Sequence, residues 1–126
     1  MRRMVLGLFA IAVVACGGSS PAGPSGGGGG GSVTSGATIT LTEAGGGNAV
    51  ITAGQAVTFV NSSSRQISVN SDPHPDHTDC PPINSIGVIS PGQTKVSTAF
   101  GTVRICRFHD HNNPDDARAK GTIEIR

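Results

Sequence analysis

All four histidines of the chain fall in two short stretches, Asp72 to Cys80 (D-P-H-P-D-H-T-D-C) and Arg104 to Pro114 (R-I-C-R-F-H-D-H-N-N-P). Each stretch carries one of the two cysteines that follow the N-terminal segment, so the same grouping of His, Asp and Cys occurs twice. Neutral imidazole is a common ligand for copper and zinc, and a neighbouring carboxylate can hold its second nitrogen. His109 and His111, two apart on an extended segment, point the same way and can reach one point. His74 and His77 are three apart, and Pro73 and Pro75 reduce the entropy lost in fixing them. The set reads as a metal centre with His109, His111, His74 and His77 as ligands, and with Asp76, Asp79 and Asp110 available to orient the rings.

Cys80 and Cys106 allow two chemistries. As a disulfide they would close about 27 residues, stabilise by roughly 3 to 4 kcal/mol and pin the two histidine segments together. Alternatively, Cys106 is a thiolate metal ligand beside His109 and Cys80 is free.

The segments that must position these residues alternate with period two. Ala37 to Thr42 carries Ile39 and Leu41 on one face, Gln55 to Asn61 carries Val57 and Phe59, and Gln66 to Asn70 carries Ile67 and Val69. Each alternation predicts a half-buried strand. Further short strands are expected at Ala49 to Thr52, Ile86 to Ile89, Lys95 to Phe100, Thr102 to Phe108 and Gly121 to Ile125. In the Thr102 to Phe108 strand, Val103 and Ile105 would face the core and Cys106 would face away. Ser90-Pro91-Gly92-Gln93 has the residues of a type II turn. Ser71 to Asn84, with four prolines, and His109 to Ala119 read as long ordered loops. No segment has a helical period. About seven short strands between Gly, Pro and Asn turns predict an all-β fold, an antiparallel β-sandwich.

Upstream lies a different kind of chain. Arg2 and Arg3 precede an apolar run from Met4 to Val14, too short for a comfortable membrane span and patterned as a secretory signal. Val13-Val14-Ala15-Cys16-Gly17 resembles the lipobox of bacterial lipoproteins. That resemblance implies a signal peptide over residues 1–15 and a mature protein anchored to a membrane by lipid on Cys16. Residues 16–36 are almost only Gly, Ser, Pro, Ala, Thr and Val, with ten of the 19 glycines, so they predict a flexible tether. The domain proper is expected over residues 37–126, enough for one modest core. With a net charge of +1, or −1 once Arg2 and Arg3 are removed, nothing points to nucleic acid or to a polybasic membrane contact.

Taken together, I-T-A-G-Q-A-V-T-F-V-N from Ile51, then Ser90 to Gln93, then Gly101 to His109 with its Cys-x-x-His, then K-G-T-I-E-I from Lys120 resemble the successive landmarks of a cupredoxin of the plastocyanin and azurin type. The resemblance implies a Greek-key β-sandwich holding copper through His, Cys, His and a weak axial ligand. The chain departs from that pattern in having no histidine near Gln66 and Ile67 and no methionine after His109. Asp72 to Pro81 and Phe108 to Pro114 also resemble a group of exported cupredoxin-like lipoproteins with D-P-H-P-x-H-T-D-C-P and H-D-H segments.

The resulting expectation is an extracytoplasmic, lipid-anchored monomer on the periplasmic or cell-surface side. It would bind copper for electron transfer or for storage and delivery, and meet a redox or copper-exchange protein partner. The alternative is a metal-free structural or interaction module pinned by a Cys80–Cys106 disulfide. An enzyme is not expected, because the Ser, His and Asp arrangement is unspecific and no H-E-x-x-H pair occurs.

Overall fold

A computed structural model describes residues 33–126; the expected signal peptide, Cys16 and the tether as far as residue 32 lie outside them. Eight strands form in chain order: β1 (Ser35–Leu41), β2 (Gly47–Ile51), β3 (Ala56–Asn61), β4 (Ile67–Ser71), β5 (Gly87–Ile89), β6 (Thr94–Val96), β7 (Arg104–Asp110) and β8 (Gly121–Ile125). A four-residue helix, α1 (Pro81–Asn84), precedes β5, and a 3-10 turn at Ala117–Ala119 precedes β8. The strands make two sheets, one ordered β1-β3-β6 and the other β2-β8-β7-β4-β5. Their inner faces meet over Ile39, Leu41, Val57 and Phe59 from the first sheet and Ile67, Val69, Phe108, Ile123 and Ile125 from the second, all buried. Burying each of these side chains contributes about 1.5–3 kcal/mol. Phe59 and Phe108 meet edge to face at the centre, ring centroids 5.3 Å apart.

The β-sandwich is as the alternation predicts, but two of its pairings are parallel: β1 with β3 and β2 with β8. The reason lies in the Gly-rich turn after β1, which closes through Thr42 N–H to the Gly45 carbonyl (3.0 Å) and sends β2 to the opposite sheet instead of forming a hairpin. Each of the two strands then pairs with a partner distant in sequence. The Ser90–Gln93 turn forms as predicted, with Gln93 N–H on the Ser90 carbonyl at 3.0 Å and Gly92 at φ +75°.

Several boundaries shift. Ser35 and Gly36, assigned to the tether, open β1, with Ser35 paired to Ala56 of β3 and the register shifting between Ser35 and Ala37. The strand expected to reach Phe100 stops at Val96, because the Ser97 hydroxyl accepts the Val57 N–H (3.0 Å) in place of a strand carbonyl. The proline-rich loop gives its first residue to β4 and its last four to α1, where Pro81 and Pro82 occupy positions whose N–H groups have no helical partner anyway.

The largest correction concerns the facing of β7. Val103 and Ile105 are 68% and 58% exposed, whereas Cys106 and Phe108 are 1% exposed and Asp110 is fully buried. The core therefore takes Cys106, Phe108 and Asp110, and Arg107 and His109 lie on the opposite face. Gly121 of β8 is fixed by this choice, since a Cβ there would lie 2.5 Å from the Phe108 ring.

Candidate metal centre

Strands β4 and β7 run antiparallel, with Asn70 opposite His109 and Ser71 opposite Phe108. The pairing continues past the end of β4, because Asp72 N–H donates to the Arg107 carbonyl (3.1 Å). The chain leaving β4 thus stays beside β7 and brings the Asp72 carboxylate to His109, Oδ1 to Nδ1 2.7 Å. A carboxylate only accepts, so Nδ1 carries the hydrogen and the neutral ring has its lone pair on Nε2. His109 is 2% exposed, and its Nε2 is buried with no hydrogen-bond partner among the described residues. Leaving a buried polar atom unpaired costs about 1–3 kcal/mol, so this atom calls for a ligand.

His77 is fixed from its backbone outward. It sits at φ +53°, a left-handed conformation that costs a non-glycine residue about 1–2 kcal/mol. Three bonds hold it there: its N–H to the Pro73 carbonyl (2.7 Å), the Asn84 side-chain amide to its carbonyl (2.7 Å), and its Nδ1 to the Ser71 carbonyl (2.7 Å). Asn84 also accepts the Ser71 N–H (2.8 Å), so the end of α1 and the end of β4 form one support beneath the ring. Because the Ser71 carbonyl is an acceptor, Nδ1 of His77 is the donor and Nε2 of the neutral ring carries the lone pair.

The remaining two rings close the cluster. His74 lies with its ring centroid 5.4 Å from His77, 5.5 Å from His109 and 5.1 Å from His111. His77 is 5.1 Å from His109 and 4.9 Å from His111 by the same measure. One nitrogen each from His74, His77 and His109 lies within 4.8 Å of the other two. His111 is exposed, its backbone N–H held by the Ser68 carbonyl (2.7 Å), and its Nδ1 lies 2.8 Å from His77 Nε2. Crowding holds His74 below the ordinary histidine range, first through lost hydration and then through repulsion from His111, His109 and His77. Nitrogen donors of this number and spacing fit copper(II) or zinc, which imidazole suits.

The four histidines read from the sequence are therefore brought together, but their supports differ from those expected. Asp110 faces the core side, where it accepts from Arg65 Nη1 (3.0 Å), Ser68 N–H (3.0 Å) and Asn112 N–H (3.2 Å). Arg65 also pairs with Asp116 at 3.0 Å, and this ion-pair group stands beside Gln66 and Ile67, where the family resemblance placed a histidine. Asp79 pairs with Arg104, and Asp76 is exposed. The ring-orienting groups are Asp72, the Ser71 carbonyl and Asn84, none singled out from the sequence. Asp72 carried a usable signal, since it opens the histidine segment directly before Pro73.

Cys80 and Cys106 are joined as a disulfide, Cα atoms 5.9 Å apart, and both are buried. Cys106 does face inward, contrary to the expected phase, but its sulfur is bonded to Cys80 and is not a free thiolate. The bond ties the segment carrying Asp72, His74 and His77 to the strand carrying His109.

No protein-family model matches the sequence, and no curated protein matches it. Solved structures do resemble the domain. A purple cupredoxin from Nitrosopumilus maritimus is 16% identical with a TM-score of 0.50, over 71% of this chain and 99% of its own. Oxidised plastocyanin from Dryopteris crassirhizoma is 17% identical with a TM-score of 0.50, over 71% and 99%. Auracyanin from Roseiflexus castenholzii is 15% identical with a TM-score of 0.50, over 75% and 98%. Two sheets in this arrangement and neighbours of this one kind make the domain a cupredoxin-like β-sandwich.

Proposed function

We propose that this protein binds copper at an imidazole-only centre, outside the cytoplasm and tethered to a membrane through Cys16, and that it sequesters the metal and passes it on. The observation that carries the reading is His109: its Nε2 is a buried lone pair without a partner among the described residues, on a ring with one nitrogen within 4.8 Å of nitrogens of His74 and His77. His109, His77 and His74 would hold the ion, with Asp72 and the Ser71 carbonyl fixing two of the rings by their second nitrogens. Bound copper would supply a Lewis-acidic, redox-capable centre; the part of the protein is to present neutral nitrogens at fixed positions.

Delivery is favoured over electron transfer by the state of Cys106. A blue-copper carrier uses a thiolate ligand in a constrained site, and the Cys106 sulfur is bonded to Cys80. The disulfide also fits an oxidising compartment, in agreement with the signal-like leader. Exposed His74 at the rim gives a copper-exchange partner access, and a binding role needs no enzymatic machinery.

Titration of the purified chain with Cu(II), followed by visible absorption, tests the proposal. Saturation at one equivalent with weak, pale absorption is the expected result. An intense blue band would establish thiolate ligation and restore the electron carrier. No saturable binding would leave the disulfide-pinned structural module.

A further inference from the structure

We infer that His111 is a placeholder occupying the metal's position on His77, not a fourth ligand, and that it gates loading and release. The inference rests on the copper-centre reading and assigns a role within it. Its spacing from His109 alone would make His111 a ligand, but the hydrogen bonds argue otherwise. The Ser71 carbonyl takes the hydrogen of His77 Nδ1, so the neutral His77 ring can only accept at Nε2. The 2.8 Å contact at that atom therefore has His111 Nδ1 donating. The lone pair that His77 would give a metal is capped by an N–H, whereas that of His109 is bare.

Position supports the same role. The three nitrogens that converge within 4.8 Å belong to His74, His77 and His109. His111 is exposed and lies just past the end of β7, with its backbone anchored to Ser68, so its ring can swing into solvent without moving the strand. On loading, the His111-to-His77 hydrogen bond breaks and a His77 Nε2–metal bond forms; the proton stays on His111 Nδ1 and no electron moves. On release the exchange reverses: His111 donates to His77 again as the metal passes to an acceptor reaching the rim beside His74. The cap competes with the metal for His77 Nε2 and so eases giving the ion up.

The test is titration of the full chain with Cu(II), and separately with Zn(II), in wild type, H77A, H111A and H111Q, with transfer of the bound ion to EDTA followed by stopped flow. H77A should lose affinity. H111A should bind about three- to ten-fold more tightly, the worth of one competing neutral hydrogen bond, and release to EDTA correspondingly more slowly. H111Q, whose amide can donate the same bond, should return both values toward wild type. In the metal-free wild type, 15N shifts should show His111 protonated on Nδ1; a bare Nδ1 would overturn the inference even if H111A failed to fold. Weaker binding in both His111 variants would make His111 a ligand and overturn the placeholder while leaving the centre standing. Unchanged affinity in H111A would also overturn it. No saturable binding by the wild type would remove the centre itself, and this role with it.

Discussion

His109 and Asp110 are neighbours on β7, both buried, and the fold treats them in opposite ways. Asp110 faces the core side and is matched on every side, by Arg65, Ser68 and Asn112. His109 faces the other way under the Asp72 segment and is matched on one nitrogen only. A buried charge with all its partners is part of the architecture. A buried lone pair with none, in a ring oriented by a carboxylate, is the donor that the proposed copper centre would use. On that proposal the two residues separate what keeps the domain folded from what it is folded to do.

The broadest way to break that distinction is to cut the tie that serves both sides. Replacing Cys80 and Cys106 together by Ala should cost about 3 to 4 kcal/mol in denaturant unfolding. It should also weaken copper binding, because the disulfide joins the segment bearing His74 and His77 to the strand bearing His109. Full copper affinity in this double variant would show that the Asn84 and Ser71 bonds suffice to place the loop.

Asp110→Ala then tests one side alone. It strips Arg65 of its buried partner and should cost about 3 kcal/mol, the lower end for breaking such a pair because Arg65 is partly exposed. Copper affinity of the folded fraction should change far less. His109→Ala should do the reverse: unfolding of the metal-free protein should shift by less than about 1 kcal/mol, since an unsatisfied nitrogen is removed along with the packing. Copper binding should be lost, by more than the roughly 10–100-fold expected for Asp72→Ala, which removes an orienting partner only. Equal losses of stability in D110A and H109A would erase the contrast.

The same strand shows how far the sequence could be read. Convergence of the two histidine segments was legible, because all four rings sit beside the two cysteines and a sandwich leaves few ways to join them. The facing of β7 was not. Val103 and Ile105 alternate as well as Cys106 and Phe108 do, and a one-residue slip exchanges the two faces. Phe108 decides it by meeting Phe59 across the sandwich, a contact between residues 49 positions apart that no local period contains. The parallel pairings were hidden for the same reason, since they follow from where the turn after β1 sends the chain. Asp72 was overlooked because its role depends on β4 and β7 being adjacent, whereas Asp76 and Asp110 stand directly beside histidines in sequence, yet Asp76 is exposed and both Asp110 and Asp79 pair with arginines.

The smallest expected effect sharpens the comparison by proton instead of mutation. His74 titrates below the ordinary histidine value in the folded state, so the unfolded chain binds more protons at that residue wherever the two differ. Stability of the metal-free domain should therefore rise with pH between the lowered folded value and the usual 6.5, and fall on acidification through the same window. Asp116 acts at more acid pH: hydrogen bonds from Arg118 hold its carboxyl at about 2, below its ordinary 3.8, so its contribution is lost only as pH falls through that range. Melting curves from pH 2 to 8 separate the two, because only the upper slope should shrink in His74→Ala. An upper slope unaltered by that substitution would mean that the crowding of the rings has no energetic consequence for the fold. The histidine cluster would then be no more strained by protonation than the ion-paired side of β7, and the division between the two faces would rest on geometry alone.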